Sequence, residues 1–412
     1  MPELTRTVAI ACGGTGGHLF PGMAVAEALQ QRSCQVTLLV SAKEVDQVAV
    51  QAAAGFAIET LPAVALQNGA GLAFVRGFWN SYRLCSRLFA RQRPHAVLAM
   101  GGFTSAPSIL AGRRRGALTF LHESNAIPGR ANRWLSFVVD EAFVGFSSSA
   151  RRLFTQAVRI TGTPVRSQFK SAEAGACRVA LGLDPNRPVL LIMGGSQGAR
   201  RVNELVTQSL AQLGNRMPQL QFLHLTGSSD QERVAAAYRA SGRRALVRAF
   251  LTEMELALGA ATLAIARAGA SSLSELAAMQ LPAILIPYPS AADDHQFHNA
   301  RAYVETGAAV QLGESAINAE SLTGQIAELI ENAPARAAMS RALERWYYPH
   351  AADEIAERIL EMITPSGIGE PEPKPRFGTL EKISPAAGRK SESRISFSGD
   401  RAPTRIMHLE VK

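Results

Sequence analysis

Apolar positions along this chain fall into two alternating patterns. Short runs rich in Val, Leu, Ile and Ala span residues 8–12, 35–40, 56–61, 96–100 and 118–121, with little of the polar alternation expected of a strand that shows one face to water. Between them, apolar positions recur at helical spacing over 21–32, near 45–54 and over 77–91, and Pro21 suits a first helical turn. The same rhythm restarts at 189–192 and includes a run at 263–266. Buried strands alternating with helices predict an α/β chain built on parallel sheets covered on both faces. The stretch 160–166 separates the two rhythms and reads as a junction between lobes.

Four glycine-rich turns punctuate this pattern, each between an apolar run and a helix start. They read Gly13-Gly14-Thr15-Gly16-Gly17-His18, Met100-Gly101-Gly102-Phe103-Thr104-Ser105, Met193-Gly194-Gly195-Ser196-Gln197-Gly198 and Arg267-Ala268-Gly269-Ala270-Ser271-Ser272. A strand that ends in glycines and opens a helix leaves backbone N–H groups and the positive end of a helix dipole facing outward, a setting that favours phosphate. Two such turns in each half predict two similar lobes facing one anionic, nucleotide-bearing ligand. The first turn is not a dinucleotide fingerprint, because Leu19 stands where the last glycine is required and Ser41 where an acidic ribose contact would be. Nor does Gly-Lys-Ser/Thr follow, which excludes a Walker loop. Gly194–Gly198 spells G-x-S-x-G, which would make Ser196 a hydrolase nucleophile, but hydrolytic partner residues are missing from the neighbouring turns.

Bulk properties narrow this further. The 412 residues, 47% apolar and 19% charged, have room for two folded domains. The formal charge of +9 rests almost entirely on dispersed Arg, with six Lys and no zinc-finger or RNA-binding signature, so no nucleic-acid partner is expected. Cys12, Cys34, Cys85 and Cys177 form no Cys-x-x-Cys pair, which points to a reducing compartment. Neither a cleavable signal peptide nor a membrane-spanning stretch is expected. Two segments stand apart. Residues 69–79 carry Leu72, Phe74, Val75, Arg76, Phe78 and Trp79 and read as an apolar-basic loop without clear strand character. Residues 365–412 turn to Pro, Ser, Gly and mixed charge, and read as a disordered tail.

Polar residues cluster where these strands should end. His18, just before a helix, could be structural or could meet a reacting hydroxyl. His122-Glu123-Ser124-Asn125 follows the run at 118–121, as helix capping or as a ligand edge. Ser271, Ser272 and Glu275 suit either a capped helix or a ribose diol. Asp293, Asp294, His295 and His298 invite a metal, but no Asp-x-Asp occurs and none is expected.

Taken in order, the blocks 13–22, 101–103, 122–129, 162–166, 194–200, 268–275 and 293–300 resemble the MurG family of bacterial glycosyltransferases, over roughly residues 5–363. The resemblance implies the GT-B architecture, two Rossmann-like lobes with a cleft between them. It divides the chain into an acceptor and membrane-facing lobe (1–165), a UDP-GlcNAc-binding lobe (166–345), a helix crossing back to the first lobe (346–364) and the tail. It implies inverting transfer of N-acetylglucosamine from UDP-GlcNAc to the MurNAc 4-hydroxyl of undecaprenyl-pyrophosphoryl-MurNAc-pentapeptide (lipid I), without a cofactor, at the cytoplasmic side of the cell membrane. Carried over by motif, Arg166, Ser196, Leu251 and Ala270, Ser271, Ser272, Leu273, Ser274 and Glu275 are the uridine and diphosphate contacts. Glu275 would hold the ribose, and Leu251 would meet uracil through its backbone. Asn125 and Gln296 would touch the sugar, while Thr15, Gly16 and Gly17 would face the reaction centre beside His18. His18 is the first candidate base and Glu123 the second. The chain departs from the family's common pattern with Ser124 and Thr163, where Gln and Asn are frequent, and with His295, where some relatives carry Gln.

Overall fold

Strands without polar alternation have no face to give to water, and the computed structural model buries most of them; the run at 56–61 lies at a sheet edge, where only Leu61 is buried. The structure describes residues 6–14, 16–42, 55–63, 71–195 and 198–364. Thr15, Ser196, Gln197, the helix expected near 45–54 and the tail expected over 365–412 lie outside the described residues. The first sheet holds β1 (Thr7–Ala11), β2 (Gln35–Ser41), β3 (Ala57–Leu61), β4 (Ala96–Ala99), β5 (Leu118–Glu123), β6 (Glu141–Val144) and β7 (Val158–Ile160). The second holds β8 (Val189–Met193), β9 (Gln221–Leu225), β10 (Ala245–Arg248), β11 (Leu263–Ala266), β12 (Ala283–Leu285) and β13 (Val310–Gln311).

The strand orders are β3-β2-β1-β4-β5-β6-β7 and β10-β9-β8-β11-β12-β13, and all the pairings are parallel. In each lobe the chain winds outward in both directions from a central pair, β1 with β4 and β8 with β11. At such a switch point neighbouring crossovers diverge and leave a crevice at the carboxyl ends of the strands. The four glycine turns follow these four strands. Both lobes therefore open their crevices on glycine turns, and both belong to one compact unit, Met1–Pro365.

The helices that shape the site are α1 (Gly16–Gln30), α2 (Gly71–Arg91), α3 (Ser105–Arg114), α4 (Arg130–Leu135), α5 (Ala270–Ala278), α6 (His295–Glu305) and α7 (Ala351–Ile363). Two begin earlier than the pattern predicts. Helix α1 starts at Gly16, which puts Pro21 inside it, and α2 starts at Gly71, so the apolar-basic segment expected as a loop is the first two turns of a helix. Glycines at the helix start and exposed apolar residues both hid the period. Helix α7 packs on α1, with Ile355, Ala356, Ile359 and Leu360 in the first-lobe core alongside Val8 and Ile10. Arg358 pairs with the buried Glu141 of β6 at 2.8 Å, and Arg32 of α1 meets Asp353 and Glu357. The last described helix is thus fastened to the lobe where the chain began.

Candidate active site

The two crevices face one cleft of about 1400 Å³. Its first-lobe wall includes Gly16, Gly17, His18, Gly101, Gly102 and the loop after β5; its second-lobe wall includes Gly194, Gly195, Leu251 and the start of α5. Of the described residues expected in the site, Gly16, Gly17, His18, Glu123, Asn125, Arg166, Leu251, Ala270, Ser271, Ser272, Glu275 and Gln296 line it. Leu273 and Ser274 do not. Leu273 is buried in the second-lobe core, and the Ser274 hydroxyl donates back to the Ala270 carbonyl within α5, because helical spacing turns both away from the wall formed by Ser271, Ser272 and Glu275.

The glycine turns are not equivalent. Around Gly101 the chain closes on itself: the Ser105 hydroxyl accepts from the Gly101 N–H at 3.2 Å and donates to its carbonyl at 2.7 Å. That N–H is spent within the turn and does not face an anion. What the turn holds is the imidazole of His18. A Cβ on Gly101 would sit 2.8 Å from both Cδ2 and Nε2 of that ring, and one on Gly102 would sit 3.2 Å from Nδ1. Both glycines have positive φ, 113° and 78°. Backbone without side chains leaves the room that the ring occupies.

Pro21 adds a second consequence. A residue at that position would normally donate its N–H to the carbonyl of Gly17, four residues earlier, and proline has none to give. The Gly17 carbonyl instead accepts the hydroxyl of Ser271 from α5 at 2.8 Å, a hydrogen bond between lobes.

Beyond β5, Glu123 is buried and its carboxylate accepts four N–H donors: the backbone and side chain of Asn125 (2.8 and 3.1 Å), the Gly129 backbone (2.9 Å) and Asn132 Nδ2 (2.9 Å). Burial raises its pKa while these donors oppose the rise. A carboxylate so occupied ties down its loop, and this weighs against Glu123 as the base. His122 is buried as well, and desolvation lowers its pKa to about 4. Its Nε2 donates to the Gly162 carbonyl at 2.9 Å, so Nδ1 accepts from the Ser124 hydroxyl at 3.1 Å. The serine that departs from the family pattern is thereby engaged with a neutral imidazole.

On the second lobe, α5 begins after Gly269, an N-cap residue with no side chain to satisfy the first-turn N–H groups. Glu275, one turn in, has its pKa pushed up to about 7 by burial, against the lowering influence of Arg166. Arg166 lies against the rings of Phe20 and Phe169, with its guanidinium carbon 4.4 and 5.0 Å from their centroids, and its Nε has no hydrogen-bond partner among the described residues. Gln296 accepts from the Tyr288 N–H at 2.9 Å. Asp293 pairs with Arg130 across the cleft at 3.2 Å, and among the described residues no three His, Cys, Asp or Glu side chains gather as a metal site. Two cleft-region residues had no role in the sequence reading. Arg267, at the end of β11, donates to the carbonyls of Ile286 and Pro287. Asn299, fully buried on α6, bonds to both lobes. Its spacing of three from Gln296 was the available signal, since it places both on one side of a helix.

With this geometry in hand, similarity to known proteins is extensive. Residues 8–144 match the glycosyltransferase family 28 N-terminal domain, and residues 189–359 match the glycosyltransferase family 28 C-terminal domain. The UDP-N-acetylglucosamine–N-acetylmuramyl-(pentapeptide) pyrophosphoryl-undecaprenol N-acetylglucosamine transferase of Pelobacter propionicus is 38% identical over 342 residues, covering 78% of this chain and 90% of that protein. Acinetobacter baumannii MurG superposes with a TM-score of 0.67 at 26% identity, over 87% of this chain and all of that one. The Neisseria meningitidis UDP-GlcNAc 2-epimerase, at 14% identity and a TM-score of 0.63 over 87% of this chain and all of that one, shares the fold alone. The two-lobed α/β fold is GT-B, and the chain belongs to the MurG family of glycosyltransferases.

Proposed function

We propose that this protein moves N-acetylglucosamine from UDP-GlcNAc to the MurNAc 4-hydroxyl of lipid I, inverting the anomeric centre to give lipid II for peptidoglycan synthesis. The observation that carries this reading is the pairing across one cleft of an imidazole from the first lobe with an uncapped helix N-terminus from the second. Inverting transfer is a single displacement. The acceptor oxygen attacks C1 of the sugar as the bond to the diphosphate breaks, the hydroxyl proton passes to His18, and UDP leaves with the bonding pair. The base and the stabilised leaving group are the two requirements. The N–H groups and dipole of α5, with Arg166, meet the departing diphosphate; Asn125 and Gln296 meet the sugar; Glu275 accepts from the ribose hydroxyls. Incubation with UDP-GlcNAc and a lipid I analogue tests the reading: UDP release that depends on the acceptor supports it, and release of ManNAc without a disaccharide lipid would contradict it.

Glu275 gives this reading a pH signature. Ribose hydroxyls donate to the carboxylate, so the donor favours its ionised form, which predominates only above about pH 7. UDP-GlcNAc affinity should strengthen about tenfold from pH 6 to pH 8 and then level off. Glu275→Gln should flatten that profile in a calorimetric titration; a slope that survives the substitution would remove Glu275 from donor binding.

The apolar surface supports attachment at the cytoplasmic face of the membrane. Leu72 and Trp79 on α2 are 90% and 51% exposed, and Trp134 on α4 is 75% exposed. Phe74, Val75, Phe78, Trp79 and Trp134 also line the cleft, so the apolar face continues into the site where a polyprenyl acceptor would enter. Among the described residues no helix is long and apolar enough to cross a membrane. A few aromatic and aliphatic residues beside Arg76 suit interfacial anchoring. Leu72→Glu with Trp79→Glu should cut sedimentation with anionic vesicles several-fold and leave UDP-GlcNAc binding unchanged; undiminished sedimentation would exclude this face.

A further inference from the structure

Three polar groups that belong to different lobes converge on one buried side chain. Asn299 of α6 is fully buried. Its Oδ1 accepts from the Ala126 N–H at 2.8 Å, and its Nδ2 donates to Asn125 Oδ1 at 3.0 Å and to the Ala268 carbonyl at 3.1 Å. The next link in this chain of bonds is Glu123, whose Oε1 accepts from Asn125 Nδ2 at 3.1 Å.

The direction of every bond follows from its ends. A backbone N–H can only donate, so Asn299 must meet Ala126 with its oxygen. A carbonyl can only accept, so Asn299 must meet Ala268 with its nitrogen. Both of its N–H bonds are then used, one on Ala268 and one on Asn125, which fixes the oxygen of Asn125 toward Asn299. The Asn125 nitrogen is left facing the Glu123 carboxylate, consistent with an acceptor-only partner. One Asn125 N–H remains, and this side chain lines the cleft. Neither amide can flip without placing like groups together.

We infer that Asn299 is a positioning residue that sets Asn125 as an N–H donor to the transferred sugar, and does so only when the two lobes are in register. This rests on the glycosyl-transfer reading proposed above, in which Asn125 touches the sugar. The bonds to Ala268 and Ala126 come from opposite lobes, so the orientation of Asn125 depends on their alignment. Asn299 makes no claim on the nucleotide, and its loss should be felt at the sugar and not at UDP.

Asn299→Asp keeps the shape and the acceptor for Ala126, but turns a second oxygen toward two acceptors. Asn299→Ser is too short to reach Asn125 and adds no charge, which keeps the test open if the aspartate variant does not fold. In both variants UDP should bind within about twofold of wild type, while kcat/KM for UDP-GlcNAc falls roughly 10- to 100-fold. In an Asn125→Ala background, Asn299→Ser should cost little more, since the residue it positions is gone. UDP affinity that falls in parallel, or losses that add in the double variant, would overturn the inference. A wild-type protein that forms no disaccharide lipid would instead overturn the proposed function.

Discussion

Replacing His18 with alanine lowers kcat by roughly 10²- to 10⁴-fold and leaves UDP-GlcNAc affinity nearly unchanged, the range expected when a positioned proton acceptor is removed. The reason is in the division of the cleft. His18 belongs to α1 of the first lobe, whereas Leu251 and Glu275 belong to the second and Arg166 closes the junction between them. Donor binding therefore keeps its own contacts when the imidazole is lost, and what disappears is the acceptor for the attacking hydroxyl's proton. Glu123 cannot take over, because four N–H donors already occupy its carboxylate. Steady-state kinetics at saturating donor, with a separate calorimetric titration of UDP-GlcNAc, check this. An unchanged kcat would take His18 out of the chemistry.

Gly101→Ala is expected to slow turnover by about 10²-fold through the same imidazole, because a Cβ at that position overlaps the His18 ring and the ring must move. The substitution also forces a side chain onto a backbone at φ 113°, at a cost of about 1–3 kcal/mol of stability. Stability and positioning separate in the double variant. With His18 already alanine, the space beside Gly101 is open, so adding Gly101→Ala should slow the reaction no further. Multiplying losses would mean that the turn acts through strain and not through the ring. Thermal unfolding of each variant shows that folded protein is being compared.

Much of this architecture was legible beforehand, for a physical reason. Strands buried on both faces carry unbroken apolar runs, and the runs at 189–192 and 263–266 became β8 and β11 within a residue. The glycine turns were legible too, since a strand-to-helix crossing at close quarters leaves few other choices. Their separate tasks were not. The N–H of Gly101 is satisfied by Ser105, four residues away, while the ring of His18 arrives from another element, and only the tertiary structure brings them together. Helix starts were misplaced where the usual signals conflict. Pro21 reads as a first-turn residue but sits inside α1, and the carbonyl it frees is used by Ser271 from the other lobe. Asn299 was hardest to read. Its importance lies in bonds to residues more than 30 and more than 170 positions away, and local spacing carries no trace of those partners.

A single inverting displacement onto the MurNAc 4-hydroxyl fixes the configuration of the product. Nuclear magnetic resonance of the disaccharide lipid formed from UDP-GlcNAc and a lipid I analogue reads the new anomeric bond. A β-1,4 linkage, formed in equal amount with released UDP, is the predicted result. An α linkage, or UDP released without any disaccharide, would contradict it.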